Sequence, residues 1–539
     1  MADSKRLWWK DGIIYQIYPR SFQDSNNDGI GDLRGITDRL DYIKELGVDA
    51  IWLSPVYPSP DCDFGYDVSD YVAIDPKFGK MADFEELLDQ AHQRDLHIIM
   101  DLVLNHTSDQ HQWFIESKKS KDNPYHDWYI WRDPKPNGSQ PNNWESIFGG
   151  SGWEYDKALN QYYFHMFAPQ QPDLNWRNLD VREAILDVFK FWLDKGVDGF
   201  RLDVFNEYYK HSDYLDLPKR KGFYPRKFDG LVHTHDTSQP EMYPLLRDIR
   251  KIMDSYPERY VVGETYLADP AQARTYIGTD KLHAGFDFRY LHSKWGAAPF
   301  GHAIQYWDAL HGDEAWPNYF LNNHDNQRST TRYKADQADK RTRLLAAMHL
   351  TVRGTPYLYY GEEIGMRDII VFPSELQDPV GKRYWPFNKG RDGCRSPMQW
   401  DNSTFAGFSQ AKPWLKVHTN SPKRNVVVQD DDPGSLLNFY RSLIALRREH
   451  APLHRGSIEL LPLYNDNLLA YKRSTKDDQA LVVLNFADKA DRYPLPLVDH
   501  GEWVVIFSGN TTDKSQVIDG EIHLPPYGFC VLSRVLGSF

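Results

Sequence analysis

Cysteine is scarce in this sequence, and its basic residues form no long block. The 539 residues include three cysteines, Cys62, Cys394 and Cys530, which lie far apart and form no CxxC pair. Neither a disulfide framework nor a zinc site is indicated, so the thiols are predicted to be reduced. The 63 Lys and Arg are outnumbered by 76 Asp and Glu and form no basic block, which argues against nucleic-acid or anionic-membrane binding. We therefore expect neutral partners.

Long apolar runs are also missing. No stretch reaches the ~18 apolar residues of a membrane-spanning helix, and the amino terminus lacks the apolar core of a signal peptide. These features predict a soluble cytoplasmic protein. The length predicts two or three domains with a large core.

Short runs rich in Ile, Val and Tyr alternate with segments of helical periodicity up to about residue 360. This alternation is typical of βα units around a parallel sheet, and eight strands close a barrel. Helical segments such as Phe84 to Arg94 and Val181 to Leu193 would form the outer ring. The predicted strands are Ile13 to Ile17, Ala50 to Leu53, Ile98 to Leu104, Gly199 to Val204, Tyr260 to Gly263, Gly285 to Phe288, Tyr319 to Asn322 and Pro356 to Tyr360.

Two regions depart from this rhythm and define the predicted domains. Residues 105–173 are irregular and would form a lobe inserted after strand 3, whereas residues 1–104 and 174–460 would form the barrel. After a helix from Gly434 to Arg448, residues 461–539 carry alternating β patterns. The predicted fold is a (β/α)8 TIM barrel with this inserted lobe and a C-terminal antiparallel β-sandwich. The C-terminal strands are predicted at Asn467 to Ser474, Gln479 to Phe486, Trp503 to Phe507 and Ile522 to Leu532.

Ionisable side chains stand at the ends of four predicted barrel strands, where the reactive groups of such barrels lie. Arg201 and Asp203 point to one side because strand side chains alternate, and the cation would keep Asp203 ionised. Crowding by like charge would raise the pKa of Glu264 towards use as an acid. Two carboxyl groups of opposed protonation are what glycosidic cleavage needs. A single such carboxylate would more often be an ion pair or a helix cap, but four strand ends in register favour an active site.

A separate loop after the first strand has the spacing of a cation site. Asp24, Asn26, Asp28 and Asp32 occupy its first, third, fifth and ninth positions, and the carbonyl of Ile30 is available at the seventh. Hard divalent cations favour such oxygen ligands. We predict one structural Ca²⁺, with Mg²⁺ as the alternative ion and a hydrogen-bonded turn as the alternative without metal. Catalysis would need no metal.

Four segments resemble the signature regions of the α-amylase family of glycoside hydrolases. They are Asp101-Leu-Val-Leu-Asn-His106, Gly199-Phe-Arg-Leu-Asp203, Gly263-Glu-Thr265 and Asn323-His-Asp325. A fifth, Gln171-Pro-Asp-Leu-Asn175, is similar to the version in the oligo-1,6-glucosidase and α-glucosidase branch. The resemblance covers nearly the whole chain.

The resemblance implies catalytic roles for three carboxyl groups. Asp203 would be the nucleophile, Glu264 the acid/base, and Asp325 the group that binds sugar hydroxyls and stabilises the transition state. Arg201 would orient the nucleophile. Further contacts with the sugar are implied for Asp63, Tyr66, His106, Arg201, His324 and Arg395.

Three of these implied contacts set the shape of the site. Tyr66 would stack beneath the glucose ring, and Asp63 with Arg395 would bind its 4-hydroxyl, although Arg391 lies four residues earlier. A charged pair across the floor would close the site into a pocket for one terminal glucose. Hydrolysis would then be exo-acting.

The segment after Asp203 departs from the amylase pattern. It lacks the Lys-His pair that contributes to calcium binding between the lobes of amylases, so that site is not expected. Val204 resembles the α-1,6-cleaving branch, since α-1,4-cleaving relatives tend to carry Thr or Ala there. Glu207 replaces an aromatic residue and predicts an unusual site for the leaving group.

These inferences together predict a retaining, exo-acting α-glucosidase. It would release terminal non-reducing α-linked glucose from short oligosaccharides and lean towards α-1,6 linkages. The alternatives are an α-1,4-glucosidase, a transglucosylase or sucrose isomerase with the same site, and, more remotely, a non-catalytic transporter-associated relative. The oligomeric state is not predicted.

Overall fold

The computed structural model describes residues 7–266, 268–334, 339–495, 503–509, 516–518 and 520–536. Its central element is an eight-stranded parallel sheet that curls into a nearly closed barrel, in the order β10-β11-β1-β2-β3-β7-β8-β9. The barrel strands are β1 (Ile14–Ile17), β2 (Ala50–Leu53), β3 (His97–Leu102), β7 (Gly199–Leu202), β8 (Tyr260–Gly263), β9 (Ala284–Gly285), β10 (Asn318–Phe320) and β11 (Thr355–Tyr359). The predicted TIM barrel is confirmed.

The predicted sixth strand is the least accurate, because β9 ends at Gly285 and a helix begins at Phe288. The carboxylate of Asp287 accepts a hydrogen bond from the backbone N–H of Arg289 at 3.1 Å and so caps that helix. The prediction that the strand continues to Phe288 is therefore wrong. An apolar run of this length does not by itself distinguish a strand from the start of a helix.

Helices surround the barrel and connect its strands. The predicted helix from Val181 to Leu193 lies within α6, and the one near Phe84 lies largely within α4. The α-helices are α1 (Trp8–Asp11), α2 (Leu33–Asp38), α3 (Leu40–Leu46), α4 (Met81–His92), α5 (Gln112–Ser117), α6 (Leu179–Asp194), α7 (Met242–Asp254), α8 (Pro270–Thr275), α9 (Phe288–His292), α10 (Ala297–His311), α11 (Ser329–Arg332), α12 (Lys340–Thr351), α13 (Pro379–Tyr384), α14 (Val426–Asp430), α15 (Leu436–Glu449) and α16 (Ala451–Arg455).

Alternation along the strands separates two apolar layers. In β2, Ala50 and Trp52 belong to the cluster inside the barrel, whereas Ile51 and Leu53 pack in the layer beneath the helices. The same alternation places Phe200 and Leu202 of β7 in the outer layer. Arg201 between them therefore points inward, and its guanidinium lies 5.3 Å from the centre of the Trp52 ring.

Between β3 and α6 the chain forms a separate small sheet in the order β4-β6-β5. Its strands are β4 (Trp131–Arg132), β5 (Trp153–Asp156) and β6 (Gln161–Phe164). Aromatic side chains such as Trp144, Trp153 and Phe164 form its core. This inserted lobe stands over the carboxyl end of the barrel, because Asn105 and Leu174 share a backbone hydrogen bond of 2.9 Å.

The C-terminal region consists of two antiparallel sheets that share one apolar cluster, which includes Leu468, Leu481 and Ile522. This arrangement confirms the predicted β-sandwich. The prediction of one segment from Ile522 to Leu532 is wrong, because Tyr527 adopts a φ of +54° in a turn that separates two strands. The strands are β12 (Ser457–Leu460), β13 (Leu468–Ser474), β14 (Asp478–Asn485), β15 (Asp491–Pro494), β16 (Val504–Ser508), β17 (Gln516–Ile518), β18 (Glu521–Leu524) and β19 (Phe529–Val535).

Across the described ranges of the chain, no helix combines the length and the apolar character needed to cross a bilayer.

Candidate active site

Neighbouring barrel strands bring the predicted catalytic carboxyl groups together. Leu202 and Gly263 are paired in the β7–β8 register, and Asp203 and Glu264 are the next residue of each strand. The backbone N–H of Glu264 donates to the carbonyl of Leu202 at 2.9 Å. The two side chains thus leave adjacent strands at the same level, at the end of the barrel where catalysis occurs in this fold.

The guanidinium of Arg201 links these carboxyl groups. Its Nη1 donates to Asp203 Oδ1 at 2.6 Å and to Asp101 Oδ1 at 2.7 Å, while Nη2 donates to Glu264 Oε2. The Arg201 side chain is fully buried, so water does not weaken these bonds. The sequence predicted that Arg201 orients Asp203 and contacts the sugar; the structure adds Glu264 and Asp101 as partners, and the contact with the sugar stays a prediction.

Burial and nearby charges determine the order in which the three carboxyl groups lose their protons. Burial, together with the charges of Asp203 and Asp325 and against the opposing effect of Arg201, raises the pKa of Glu264 to about 8. Burial also raises the pKa of Asp203 to about 7, although Arg201 acts in the opposite direction. Burial would raise the pKa of Asp325 too, but neighbouring cations hold it below the usual range. Glu264 is therefore the last of the three to lose its proton.

Tyr66 and the two histidines form one wall of the site. The rings of Tyr66 and His324 are stacked with centroids 5.2 Å apart, and the Tyr66 hydroxyl lies 2.5 Å from His324 Nε2. His106 Nε2 is 2.9 Å from the carbonyl of Tyr66. Burial lowers the pKa of His106 to about 4 and that of His324 to about 3, so both rings are neutral near pH 7.

Tyr66 and His106 line the cavity, whereas His324 is fully buried behind Tyr66. Gln16 Nε2 lies 2.8 Å from His324 Nδ1 and donates to it, which leaves the proton of the ring on Nε2. The Nε2 atom that carries this proton lies 3.0 Å from Asp325 Oδ2 and also faces the Tyr66 hydroxyl. A direct contact between His324 and a sugar hydroxyl stays a prediction.

The charged pair across the floor of the site involves Arg391 and not Arg395. Arg391 Nη2 lies 2.5 Å from Asp63 Oδ1, and Nη1 lies 3.2 Å from Asp325 Oδ1. Asp378 binds the same guanidinium at 2.6 Å and holds it in place. The prediction that Arg395 pairs with Asp63 is therefore wrong.

Arg395 supports the site from behind. It ends the short helical turn that begins at Asp392, so its side chain faces the barrel and is fully buried. Its Nε donates to the carbonyl of His324 at 2.8 Å, and its Nη2 lies 3.0 Å from Asp325 Oδ1. Arg395 therefore positions Asp325 without facing the cavity.

A cavity of about 930 Å³ contains the exposed faces of these groups. The catalytic carboxyl groups Asp203, Glu264 and Asp325 all line it. Phe148 and Phe167 contribute from the inserted lobe, and Phe288 contributes from α9. The cavity lies between the barrel and the lobe, and its volume is typical of a small-molecule site.

Lys210 connects the barrel end to the inserted lobe. Its Nζ lies 2.7 Å from Asn105 Oδ1 and 2.5 Å from Asp173 Oδ2, and it also donates to the carbonyl of Glu207. Asn105 Nδ2 donates to the same Asp173 oxygen at 2.9 Å. A buried ammonium group thus holds the oxygens of three segments together. Sequence reasoning missed this residue.

Glu207, whose presence predicted an unusual leaving-group site, lies outside the cavity wall. The residue is fully buried, it is not part of the cavity wall, and neither carboxyl oxygen has a hydrogen-bond partner among the described residues. Burial raises its pKa well above the usual range, and nearby Asp236 and Asp173 add to the shift while Lys210 opposes it. The chain turns after Asp203 and carries Glu207 behind the site, so Glu207 does not form part of the cavity wall, and the unusual leaving-group site stays a prediction.

The loop predicted to bind a cation is tightly hydrogen-bonded. Asp24 Oδ2 accepts from the N–H of Gly29 at 2.8 Å, and Asp28 Oδ1 accepts from the N–H of Ile30 at 2.8 Å. Asp32 caps α2. Within the described ranges, no group of three or more His, Cys, Asp and Glu side chains is arranged to hold a metal. Three carboxylates, an amide and a carbonyl nevertheless form a donor set that suits a hard cation.

The barrel and the three carboxyl groups that line its cavity define an enzyme that acts on glycosides. The profile of the alpha amylase catalytic domain matches residues 16–456, and that of the maltogenic amylase C-terminal domain matches residues 458–531. The chain belongs to the α-amylase family of glycoside hydrolases.

Individual relatives cover almost the whole chain. An oligo-1,6-glucosidase of Parageobacillus thermoglucosidasius is 41% identical over 97% of this chain and 98% of its own. The solved structure of an alpha-glucosyl transfer enzyme, XgtA, has a TM-score of 0.93 at 39% identity and covers 98% of this chain and 100% of its own. An isomaltulose synthase of Erwinia rhapontici, solved with its substrate sucrose, has a TM-score of 0.90 at 35% identity, with 99% and 100% covered.

Proposed function

We propose that the protein is a retaining, exo-acting α-glucosidase that removes terminal α-linked glucose from short oligosaccharides and prefers α-1,6 linkages. One observation carries the proposal. Asp203 and Glu264 share the guanidinium of Arg201 inside a cavity whose floor is closed by the pair Asp63 and Arg391. The likeness to an oligo-1,6-glucosidase supports the linkage preference.

In this mechanism Glu264 protonates the glycosidic oxygen, and Asp203 attacks the anomeric carbon to form a β-glucosyl ester. Glu264 then takes a proton from water, which displaces Asp203 and restores the α configuration. The order of the two pKa values supports these roles, because Glu264 retains its proton to higher pH than Asp203. Binding to the same guanidinium also favours the close spacing of retaining enzymes, about 5–5.5 Å, over the wider inverting spacing.

The decisive test follows the anomer released from isomaltose and maltose by NMR, together with initial rates on sucrose and trehalose. We expect α-glucose as the first product and no turnover in Asp203→Ala at unchanged thermal stability. Initial release of β-glucose would contradict retention, and an active Asp203→Ala variant would contradict the assignment of the nucleophile.

A second candidate function is transfer of the glucosyl unit to a sugar, as in a transglucosylase or a sucrose isomerase. The structural likeness to an alpha-glucosyl transfer enzyme and an isomaltulose synthase favours it. The same carboxyl groups serve both reactions, so only products separate them. Incubation with sucrose that yields new disaccharides in place of free glucose would establish this alternative. A non-catalytic role is disfavoured by the three carboxyl groups retained in the cavity.

Two further proposals concern the surroundings of the enzyme. The loop of Asp24, Asn26, Asp28, Ile30 and Asp32 would hold one structural Ca²⁺ or Mg²⁺, supported by its oxygen donors. Cytoplasmic location is supported by three cysteines that are free thiols in the structure. Neutral α-glucosides would be the partners of this site, and their hydroxyl groups suit its carboxylates and neutral histidines.

A further inference from the structure

One carboxyl group in the cavity has no role in the mechanism above. Asp287 lines the cavity and is 4% exposed. Its Oδ1 accepts a hydrogen bond from the N–H of Arg289, whereas its Oδ2 is buried without a partner among the described residues. A buried oxygen that lacks a partner is costly, so such a group in a binding site is expected to find its partner in the ligand.

The barrel fixes where Asp287 stands relative to the acid/base. Strand β9 pairs with β8 through Gly285 and Gly263, and the N–H of Phe286 donates to the carbonyl of Gly263 at 3.0 Å. Thr265 Oγ1 donates to the carbonyl of Phe286 at 2.7 Å. The residues on both sides of Glu264 therefore hold the segment that carries Asp287.

Strand order then assigns Asp287 to one side of the scissile bond. In the order β7, β8, β9, Glu264 stands between Asp203 and Asp287. Glu264 protonates the oxygen that joins the terminal glucose to its leaving group. In the proposed function the terminal glucose lies against Asp63 and Arg391, which follow β2 and β11, the two strands on either side of β1. Strand β8 lies across the barrel from β1, so the leaving group extends towards the β8–β9 side.

The neighbours of Asp287 suit a sugar ring. Phe286 and Phe288, which flank it in the chain, both line the cavity and offer apolar faces, while Asp287 offers an acceptor between them. Burial raises the pKa of Asp287 to about 6, with the charge of Arg289 opposing the shift, so the carboxylate is mainly ionised at pH 7. An ionised carboxylate accepts hydrogen bonds only.

We propose that Asp287 is a specificity-determining residue whose Oδ2 accepts a hydrogen bond from a hydroxyl group of the leaving-group sugar. This inference rests on the proposed glucosidase function. It identifies the preferred leaving group as a neutral polyhydroxylated unit, in contrast to an aryl group, which offers no hydroxyl donor at that position.

The test compares isomaltose, whose leaving group is glucose, with p-nitrophenyl α-glucoside, whose leaving group lacks sugar hydroxyls. Asp287→Ser keeps an oxygen that can cap α9 but removes Oδ2, and Asp287→Asn is the isosteric variant that converts Oδ2 to a donor. The measured quantity is the ratio of kcat/KM for isomaltose to kcat/KM for the aryl glucoside. We expect this ratio to fall about tenfold in Asp287→Ser and by a smaller factor in Asp287→Asn.

A capping control separates binding from helix stability. Ser435 caps α15 by accepting from the N–H of Asn438 at 3.1 Å, and it is not part of the cavity wall. Ser435→Ala should lower the melting temperature and leave the ratio of the two substrates unchanged.

An equal loss on both substrates, or no loss on either, would overturn the inference. The proposed function fails separately, when the unmodified enzyme releases no glucose from any α-glucoside. If the enzyme transfers the glucosyl unit to a sugar and not to water, it still cleaves the same glycosidic bond first. The ratio of the initial cleavage rates on the two substrates therefore still tests Asp287.

Discussion

Arg391 Nη2 lies 2.5 Å from Asp63 Oδ1, and both residues line the cavity, where the proposed function places the terminal glucose. Asp378 and Asp325 bind the same guanidinium, so its position is fixed before a substrate arrives. Preorganised charges of this kind bind a hydroxyl group at little entropic cost. The pair would account for the proposed exo action, because a second sugar unit would have to displace it.

Arg391→Ala should open the floor and weaken binding. We expect kcat/KM for isomaltose to fall about 100-fold, because the substitution leaves the buried carboxylates of Asp63 and Asp378 without their cation. The measurement is steady-state kinetics, with the neighbouring exposed Lys389→Ala as the control that keeps wild-type rates.

Arg395→Ala should lower the stability of the fold, because the Arg395 side chain is fully buried and donates a hydrogen bond to the carbonyl of His324. A loss of about 3 kcal/mol or more in the free energy of unfolding is expected. A free energy of unfolding that is unchanged in Arg395→Ala would contradict the assignment of Arg395 to the support of the site.

The pH dependence of kcat/KM should be a narrow bell. Activity requires an ionised Asp203 and a protonated Glu264, whose pKa values are raised to about 7 and about 8. Activity therefore rises as pH increases through the first value and falls as it increases through the second, and the two apparent values belong to the pair. A profile without an alkaline limb would contradict the role of Glu264 as acid.

Val204 follows the nucleophile and lines the cavity, where it should affect linkage preference. It adopts a φ of +34°, which is a strained conformation for a β-branched residue. Val204→Thr keeps the branching and the strain but adds a hydroxyl group. We expect the ratio of isomaltose to maltose hydrolysis to fall several-fold at similar stability. An unchanged ratio would show that Val204 does not select the linkage.

Glu207 should make the protein less stable as pH rises. Burial raises its folded pKa well above the value in the unfolded chain. Its contribution to stability is therefore fully present below the unfolded pKa and is lost as pH rises through the folded pKa. Glu207→Gln removes this titration, so its free energy of unfolding should fall less between pH 5 and 9 than that of the unmodified protein. Parallel pH curves in urea titrations would contradict this explanation.

The proposed cation loop predicts sensitivity to chelators. EDTA should lower the melting temperature by several degrees, and added Ca²⁺ should restore it, because a ligand that binds only the folded state stabilises it. Asp28→Ala, which changes an exposed ligand, should abolish the response to EDTA. A melting temperature indifferent to both EDTA and Ca²⁺ would favour the hydrogen-bonded turn without metal.

Sequence patterns predicted the architecture well because apolar strands and their polar ends carry a strong local signal. β2 and β8 have the predicted bounds, Ala50–Leu53 and Tyr260–Gly263. The sixth strand failed because Asp287 caps a helix, and the local apolar pattern did not distinguish the two structures. Motif spacing also placed Asp203 and Glu264 on adjacent strands.

Other parts of the site could not be predicted because they depend on tertiary contacts. Arg391 and Arg395 lie in one irregular segment, and only the turn from Asp392 to Arg395 decides which of them faces the cavity. Gln16 could have been noticed as a polar residue inside the apolar strand β1, but its contact with His324 spans 308 positions. Lys210 carried no signal that it would reach the inserted lobe.

The contacts of Lys210 also bear on how the cleft keeps its shape. The barrel and the lobe meet around an amine that belongs to the polypeptide itself, since its Nζ lies 2.5 Å from Asp173 Oδ2. Because this ammonium group is covalently attached to the chain, it cannot diffuse away or be exchanged for another ion. Its local concentration does not depend on the ions in solution. The junction between the barrel and the lobe is thus held by a cation that the chain itself supplies.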